Sequence, residues 1–141
     1  MSDLIVDASV AVKWFVPEDG SDDAERLFES PVRLCAPMLI LGEVANALWK
    51  AVRRGDMPRD AGREAVGVLP GYFSLLFETD IALSAAFDIA CALDHPIYDC
   101  LYLESARRFD LPLITADARL IRKLAGTPYG GHVIPLAQWR P

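Results

Sequence analysis

Leu4-Ile5-Val6-Asp7-Ala8-Ser9 is three aliphatic residues stopped by an acid and two small residues. A short apolar run closed by turn-forming residues reads as a strand buried on both faces. The pattern recurs near the other end of the chain in Leu111-Pro112-Leu113-Ile114-Thr115-Ala116-Asp117. Working outward, strands are expected at 3–7, 32–35, 72–77, 111–115 and 132–135. Helices are expected at 21–30, 37–54, 58–69, 80–93, 96–109 and 117–125. Ser21-Asp22-Asp23 places acids in a first helical turn. Pro37 suits the first turn of the next helix and Gly55 its stop, and Asp80 and Pro96 open two more. Such alternation implies an α/β fold of three layers: a central, mostly parallel sheet of four to five short strands flanked by helices. No repeat or linker interrupts residues 1–141, so a single domain is expected.

Four acids stand at the strand ends and helix starts of this scheme: Asp7, Glu43, Asp99 and Asp117. Ligands of parallel α/β sheets bind beyond the carboxyl ends of the strands, where strand order reverses. If the first and fourth strands are neighbours, all four acids can converge on one edge. A carboxylate in apolar surroundings is costly unless it is paired or holds a metal. With 14 Lys and Arg against 20 Asp and Glu, a metal is the more natural partner. Taken singly, Asp7 and Asp117 also read as helix N-caps, and Asp99 as a charge that complements a helix N-terminus. Glu43, between Leu41 and Val44, is too far into its helix to be a cap. Asn46, Lys50 and Arg54 follow it at helical spacing. The stripe runs from acidic to basic, which suits a metal site with an adjoining phosphate track as well as a solvated face.

Composition removes other classes. Hydrophobic residues make up 52% of the chain and charged residues 24%, which fits a globular protein. No apolar run approaches the roughly 20 residues that cross a bilayer, and no signal peptide is visible. Cys35, Cys91 and Cys100 lack metal-ligand spacing and read as reduced core residues, so a cytoplasmic location is expected. A net charge of −6 argues against nucleic-acid binding by overall charge, although divalent ions at an acidic site reverse the local field. His95 and His132 have no partner at motif spacing and read as turn or surface residues. Trp14 and Phe15 read as core or interface residues. Trp49 could line a partner groove. Lys13, Arg119, Arg122 and Lys123 are candidates for phosphate contacts or for a solvated face.

The motifs Val6-Asp7-Ala8-Ser9-Val10, Glu43-Val44-Ala45-Asn46-Ala47-Leu48, Tyr98-Asp99-Cys100-Leu101-Tyr102-Leu103 and Thr115-Ala116-Asp117-Ala118-Arg119-Leu120 occur in this order. Together they resemble the PIN-domain ribonucleases, in particular the VapC-type toxins of toxin–antitoxin pairs. The resemblance spans nearly the whole chain, with 56–79 contributing nothing diagnostic. It implies a PIN-like three-layer fold and an acidic site of Asp7, Glu43, Asp99 and Asp117. Ser9 and Thr115 match the supporting hydroxyl positions, and Asn46 lies on the stripe beside Glu43. The implied activity is an Mg²⁺-dependent endoribonuclease, with Mn²⁺ able to substitute, that hydrolyses phosphodiester bonds of structured RNA such as tRNA or rRNA. All-carboxylate ligands without His or Cys suit such hard ions. The implied partners are a VapB-type antitoxin, with a segment across the active-site groove, and a second copy in a homodimer. Four acids brought together should repel, raising at least one pKa.

Two other readings compete. A catalytically silent PIN-like interaction domain would keep the acids for structure. A receiver-type signalling module would need paired acids after the first strand, an Asp ending the third and a Lys near the last. Here the first strand ends in a single Asp, Glu78-Thr79 follows the third, and no Lys lies near Val133.

Overall fold

In a computed structural model describing residues 1–141, the elements are β1 (Ser2–Val6), α1 (Ala8–Ala11), α2 (Ser21–Glu29), β2 (Val32–Pro37), α3 (Leu39–Arg54), α4 (Arg59–Val68), β3 (Leu75–Phe77), α5 (Leu83–Leu93), α6 (Ile97–Phe109), β4 (Leu113–Thr115), α7 (Ala118–Leu124) and β5 (Val133–Pro135). The strands form one sheet in the order β3-β2-β1-β4-β5, parallel throughout. β1 therefore lies at the centre, with β2 on one side and β4 on the other. Leu4, Ile5 and Val6 are buried, as are Leu113, Ile114 and Thr115 of β4. This is the continuous apolar run that a sheet covered on both faces requires.

The helices cover the sheet through periodic faces. α3 buries Ile40, Val44, Leu48 and Ala51, and Gly55 closes it at φ 81°, where its N–H reaches the carbonyls of Ala51 and Val52. That left-handed turn is natural for glycine. α6 is buried from Cys100 through Ala106. This run includes Glu104, whose carboxylate accepts from Arg107 Nη2 at 2.5 Å and from Arg108 Nε at 3.0 Å. A buried carboxylate is tolerated there because two guanidinium groups meet it. No helix is long and apolar enough to cross a membrane.

Several boundaries depart from the sequence reading for identifiable reasons. Pro37 ends β2 rather than opening α3. It pairs with Phe77 beyond the point where the β1 ladder stops at Cys35, so its missing N–H interrupts no bond to β1. The strand expected over 72–77 shortens to Leu75–Phe77, because Leu69–Tyr72 forms a 3₁₀ turn containing Pro70. The turn around Thr79 and Asp80 delays α5 to Leu83. The short α1 and the 3₁₀ turn Val12–Trp14 follow directly from Asp7 acting as a cap. Cys35 and Cys100 are buried as expected, whereas Cys91 is exposed.

Trp14 packs as a core residue: its ring lies 4.8 Å from Phe28 and 5.5 Å from Tyr72, and its indole N–H donates to the Ala24 carbonyl at 3.1 Å. Ile5, fully buried at the centre of the sheet, and Ile81, 75% exposed, give a direct test of this packing. Ile5→Ala should lower unfolding free energy by about 2–5 kcal/mol in urea titrations, while Ile81→Ala stays within about 0.5 kcal/mol.

Candidate active site

β1 and β4 are adjacent, and the strand order reverses between them, so their carboxyl ends form a switch-point crevice. Asp7 stands at the end of β1 and is 4% exposed. Its Oδ1 accepts from Ser9 Oγ at 2.5 Å and from the Val10 N–H at 3.3 Å, and its Oδ2 accepts from the Thr115 hydroxyl at the end of β4. The Ala116 N–H donates to Ser9 Oγ at 2.9 Å, and the Asp117 N–H to Thr115 Oγ1 at 3.1 Å. One acid and two hydroxyls thus bind the two strand ends together. Burial pushes the Asp7 carboxyl from its ordinary 3.8 up to about 7, against the pull of the Ser9, Thr115 and Val10 bonds, with a further push from the Asp99 charge.

Glu43 projects from α3 and accepts the Tyr102 hydroxyl of α6 at 2.7 Å on Oε1. Burial raises its pKa, the Tyr102 bond lowers it, and the Asp99 charge raises it further. Tyr102 is itself buried, and burial together with the neighbouring Glu43 charge raises its pKa, so it remains the donor. Asp99, in the first turn of α6, meets His95 Nε2 at 2.5 Å through Oδ2. A carboxylate offers only acceptors, which assigns the ring hydrogen to Nε2. His95 Nδ1 is buried without a partner. Asp117 caps α7, its Oδ1 accepting from the N–H groups of Arg119 at 2.9 Å and Leu120 at 3.2 Å.

The acids therefore share one region unequally. Asp7 and Glu43 each feel the charge of Asp99, while Asp117 joins through the Thr115 link and its carboxylate serves a helix cap. No three His, Cys, Asp or Glu side chains close around a point in metal-binding range. The donor chemistry nevertheless fits a hard cation. Glu43, Asp99 and Asp117 each commit one oxygen to a protein donor and leave Oε2, Oδ1 and Oδ2, respectively, without a protein partner. Asn46 is exposed one turn along α3 from Glu43, and both line the same groove.

His95 is the correction to the sequence reading. It is buried and bonded to Asp99, where a turn or surface residue was expected. The spacing of four between His95 and Asp99 was visible, but Pro96 between them obscured it as a helical pair. The sequence signal for Tyr102 is its place three residues after Asp99, which sets it on the same helix face. His132 does lie near the surface and meets Asp110 at 2.9 Å. Of the cations read either as phosphate contacts or as a solvated face, Lys13 pairs with Glu18 and Lys123 donates to the Leu93 and Asp94 carbonyls. Repulsion among the acids was expected to raise a pKa, and a raised group is present, but burial is the larger cause at Asp7 and at Glu43.

The PIN domain family model matches residues 4–126. Ribonuclease VapC3 of Pyrobaculum aerophilum is 34% identical over 122 residues, covering 85% of this chain and 93% of the relative. Among solved structures, VapC20 of Mycobacterium tuberculosis, a Sarcin–Ricin loop cleaving toxin, aligns with a TM-score of 0.65 at 16% identity, covering 89% of this chain and 97% of the other. A toxin–antitoxin complex from Klebsiella pneumoniae aligns with a TM-score of 0.61 at 18% identity, covering 94% of this chain and 97% of the other.

The elevated Asp7 pKa gives a signed prediction. Between its unfolded value near 4 and its folded value near 7, the folded state holds the extra proton. Stability from this group is therefore greatest at low pH, falls as pH rises through that window, and is flat above it. In EDTA, Asp7→Asn should remove a slope of up to about 1.4 kcal/mol per pH unit. Urea unfolding of parent and variant across the window checks this, and parallel curves would contradict it.

Proposed function

The chain belongs to the PIN domain family, and from that premise we propose that it is a divalent-metal-dependent endoribonuclease, the toxin of a toxin–antitoxin pair. One observation carries the reading: three acids at the switch-point crevice are each held by one oxygen and free at the other. Acids elsewhere, such as Glu18 and Asp56, are also paired through one oxygen, but these three stand with buried Asp7 at the ends of neighbouring elements, where Asp7 and Glu43 both feel the charge of Asp99. The likeness to Ribonuclease VapC3 supports cleavage of RNA, and the likeness to the VapC20 fold is consistent with it.

The roles divide as follows. Asp99, Asp117 and Asp7 would hold Mg²⁺ or Mn²⁺ directly or through water, with Glu43 as a further ligand or as the group orienting the attacking water. A bound ion of this kind neutralises charge on the reacting phosphate and makes water a better nucleophile. Glu43, with its raised pKa and free Oε2, is placed to take the proton of that water. Water adds to phosphorus as its proton passes to Glu43, the bond to the leaving oxygen breaks, and that oxygen takes a proton from solvent water. Tyr102 fixes the rotamer of Glu43, and His95 fixes that of Asp99. Ser9 and Thr115 hold Asp7 between the strand ends. The natural substrate class is structured RNA, tRNA or rRNA.

The partner is a VapB-type antitoxin, a proposal consistent with the fold's likeness to the Klebsiella toxin–antitoxin complex. A groove of about 430 Å³ between α3 and α4 offers Leu48, Trp49, Val52 and Val66 with a rim of Arg59 and Arg63, which suits an apolar segment with acidic flanks. A homodimer would cover Leu83 and Phe87, which are 52% and 60% exposed.

Incubation of the purified chain with total tRNA and rRNA should give discrete fragments with Mg²⁺ or Mn²⁺ and none with EDTA. Asp99→Asn and Glu43→Gln should each lower the rate by at least about a hundredfold while keeping the fold by circular dichroism. Intact RNA after exposure to the metal-loaded parent would overturn the proposal.

His95 gives a second test that needs no turnover. His95→Ala should weaken Mn²⁺ binding, measured by calorimetry, by about 10- to 100-fold, with partial recovery in His95→Gln. Equal affinities for parent and His95→Ala would show that the His95 bond serves packing alone.

A further inference from the structure

Beside the acids runs a groove of about 380 Å³ lined by Ala8, Glu43, Asn46, Ala47, Lys50 and Tyr98. Its size falls in the roughly 300–1,000 Å³ range of small-ligand sites. Three of its side chains have polar or aromatic capacity that the protein does not use. Tyr98 is 59% exposed, stacks on no other ring and makes no hydrogen bond through its hydroxyl. By contrast, Trp14, Phe15, Phe28, Tyr72 and Phe73 pack on one another. Lys50 enters no ion pair, in contrast to Lys13, Arg33 and Arg54. The Asn46 amide has no intramolecular partner.

A flat π-face, a cation and an amide that both donates and accepts are the three groups a nucleotide needs for its base, phosphate and base or sugar edge. The two alanines keep the rest of the lining short. We propose that this groove is a nucleotide subsite of the RNA substrate, with a base stacked on Tyr98, a backbone phosphate on Lys50 and the Asn46 amide against a base or sugar edge. Tyr98 immediately precedes Asp99, so the stacked base belongs to a nucleotide next to the scissile bond. Lys50 lies seven positions beyond Glu43 on the helix, a rise of about 10 Å. The phosphate on Lys50 is therefore a neighbour of the one that reacts, and Lys50 is a binding residue rather than a catalytic one. Stacking and a point charge bind every base, so the subsite supplies affinity and register more than sequence choice.

The inference rests on the ribonuclease reading, and the test separates the two. In an Asp99→Asn background, short single-stranded RNAs carrying 2-aminopurine at successive positions report stacking by loss of emission, and a fluorescein label reports affinity by anisotropy. Emission should fall at one position with Tyr98 or Tyr98→Phe present and recover in Tyr98→Ala. Tyr98→Ala should weaken RNA binding by about 5- to 100-fold, with Tyr98→Phe close to parent. Lys50→Gln should weaken binding and reduce the slope of log affinity against log salt by about 0.7. In the active chain, Tyr98→Ala should raise KM with little change in kcat. RNA affinity and emission unchanged in Tyr98→Ala, with RNA still cleaved by the parent, would overturn the subsite alone. Loss of antitoxin binding without loss of RNA binding would reassign the groove to the protein partner, which also overturns it. A parent that neither binds nor cleaves RNA would remove both proposals.

Discussion

Everything at the acidic edge depends on one buried carboxylate being satisfied by two hydroxyls, one from α1 and one from the end of β4. Asp7 sits where β1 must end, and the only groups in reach that can donate to it are Ser9, the Val10 N–H and Thr115. Thr115 is fully buried on β4, and its hydroxyl in turn accepts the Asp117 N–H. Ser9 accepts the Ala116 N–H while donating to Asp7. The result is a closed set of bonds that fixes the spacing of two strand ends 108 residues apart in sequence. Such networks are stiff because each unmade bond would leave a buried polar atom unsatisfied. Asp117 is placed by that stiffness, since its backbone N–H is part of the network.

The electrostatics of this edge come from dryness more than from crowding. At Asp7 and Glu43 the largest influence is removal of water, and the charge of Asp99 is the smallest of the named causes at both. Burial raises these acids more than their hydrogen-bond donors lower them, and a cation arriving there would replace lost hydration as well as cancel repulsion. This also reconciles a chain of net charge −6 with a polyanionic substrate. Some of its cations are tied up in ion pairs away from the acids, such as Arg33 with Asp3 and Arg107 with Glu104. Lys50, free of such a partner, lies beside the acids.

How much of this was legible in the sequence depended on the range of the forces involved. The alternation of apolar runs and helices, set by backbone periodicity, identified the sheet, the adjacency of β1 and β4 as a possibility, and the four acids at their element ends. Boundaries set by tertiary hydrogen bonds were less legible. Pro37 carries a strong helix-start preference, but pairing with β3 keeps it in the strand. Asp80 has the same helix-start character, yet a turn from Thr79 delays α5. His95 was misread for a further reason: histidine is neutral or charged, exposed or buried, according to its partner, and that partner lay across a proline. The free oxygens of Glu43, Asp99 and Asp117 have no sequence signature at all, because they follow from side-chain rotamers.

The capping and functional readings of these acids are not rivals. Asp117 accepts two N–H groups on Oδ1, which is what a helix cap does, and the same bonds hold Oδ2 in a fixed direction. Asp99 is restrained through one oxygen by His95, and Glu43 through one oxygen by Tyr102. A ligand held in one rotamer before its ion arrives loses less conformational entropy on binding than one on a free side chain. The local bonds that make each acid look structural when taken alone are therefore the means by which a set of acids, on elements far apart in sequence, can act on one ion. Asp7 completes the argument from the other side. With both oxygens engaged by donors, it is the acid least free to turn, held by the same Ser9 and Thr115 bonds that tie the two strand ends together.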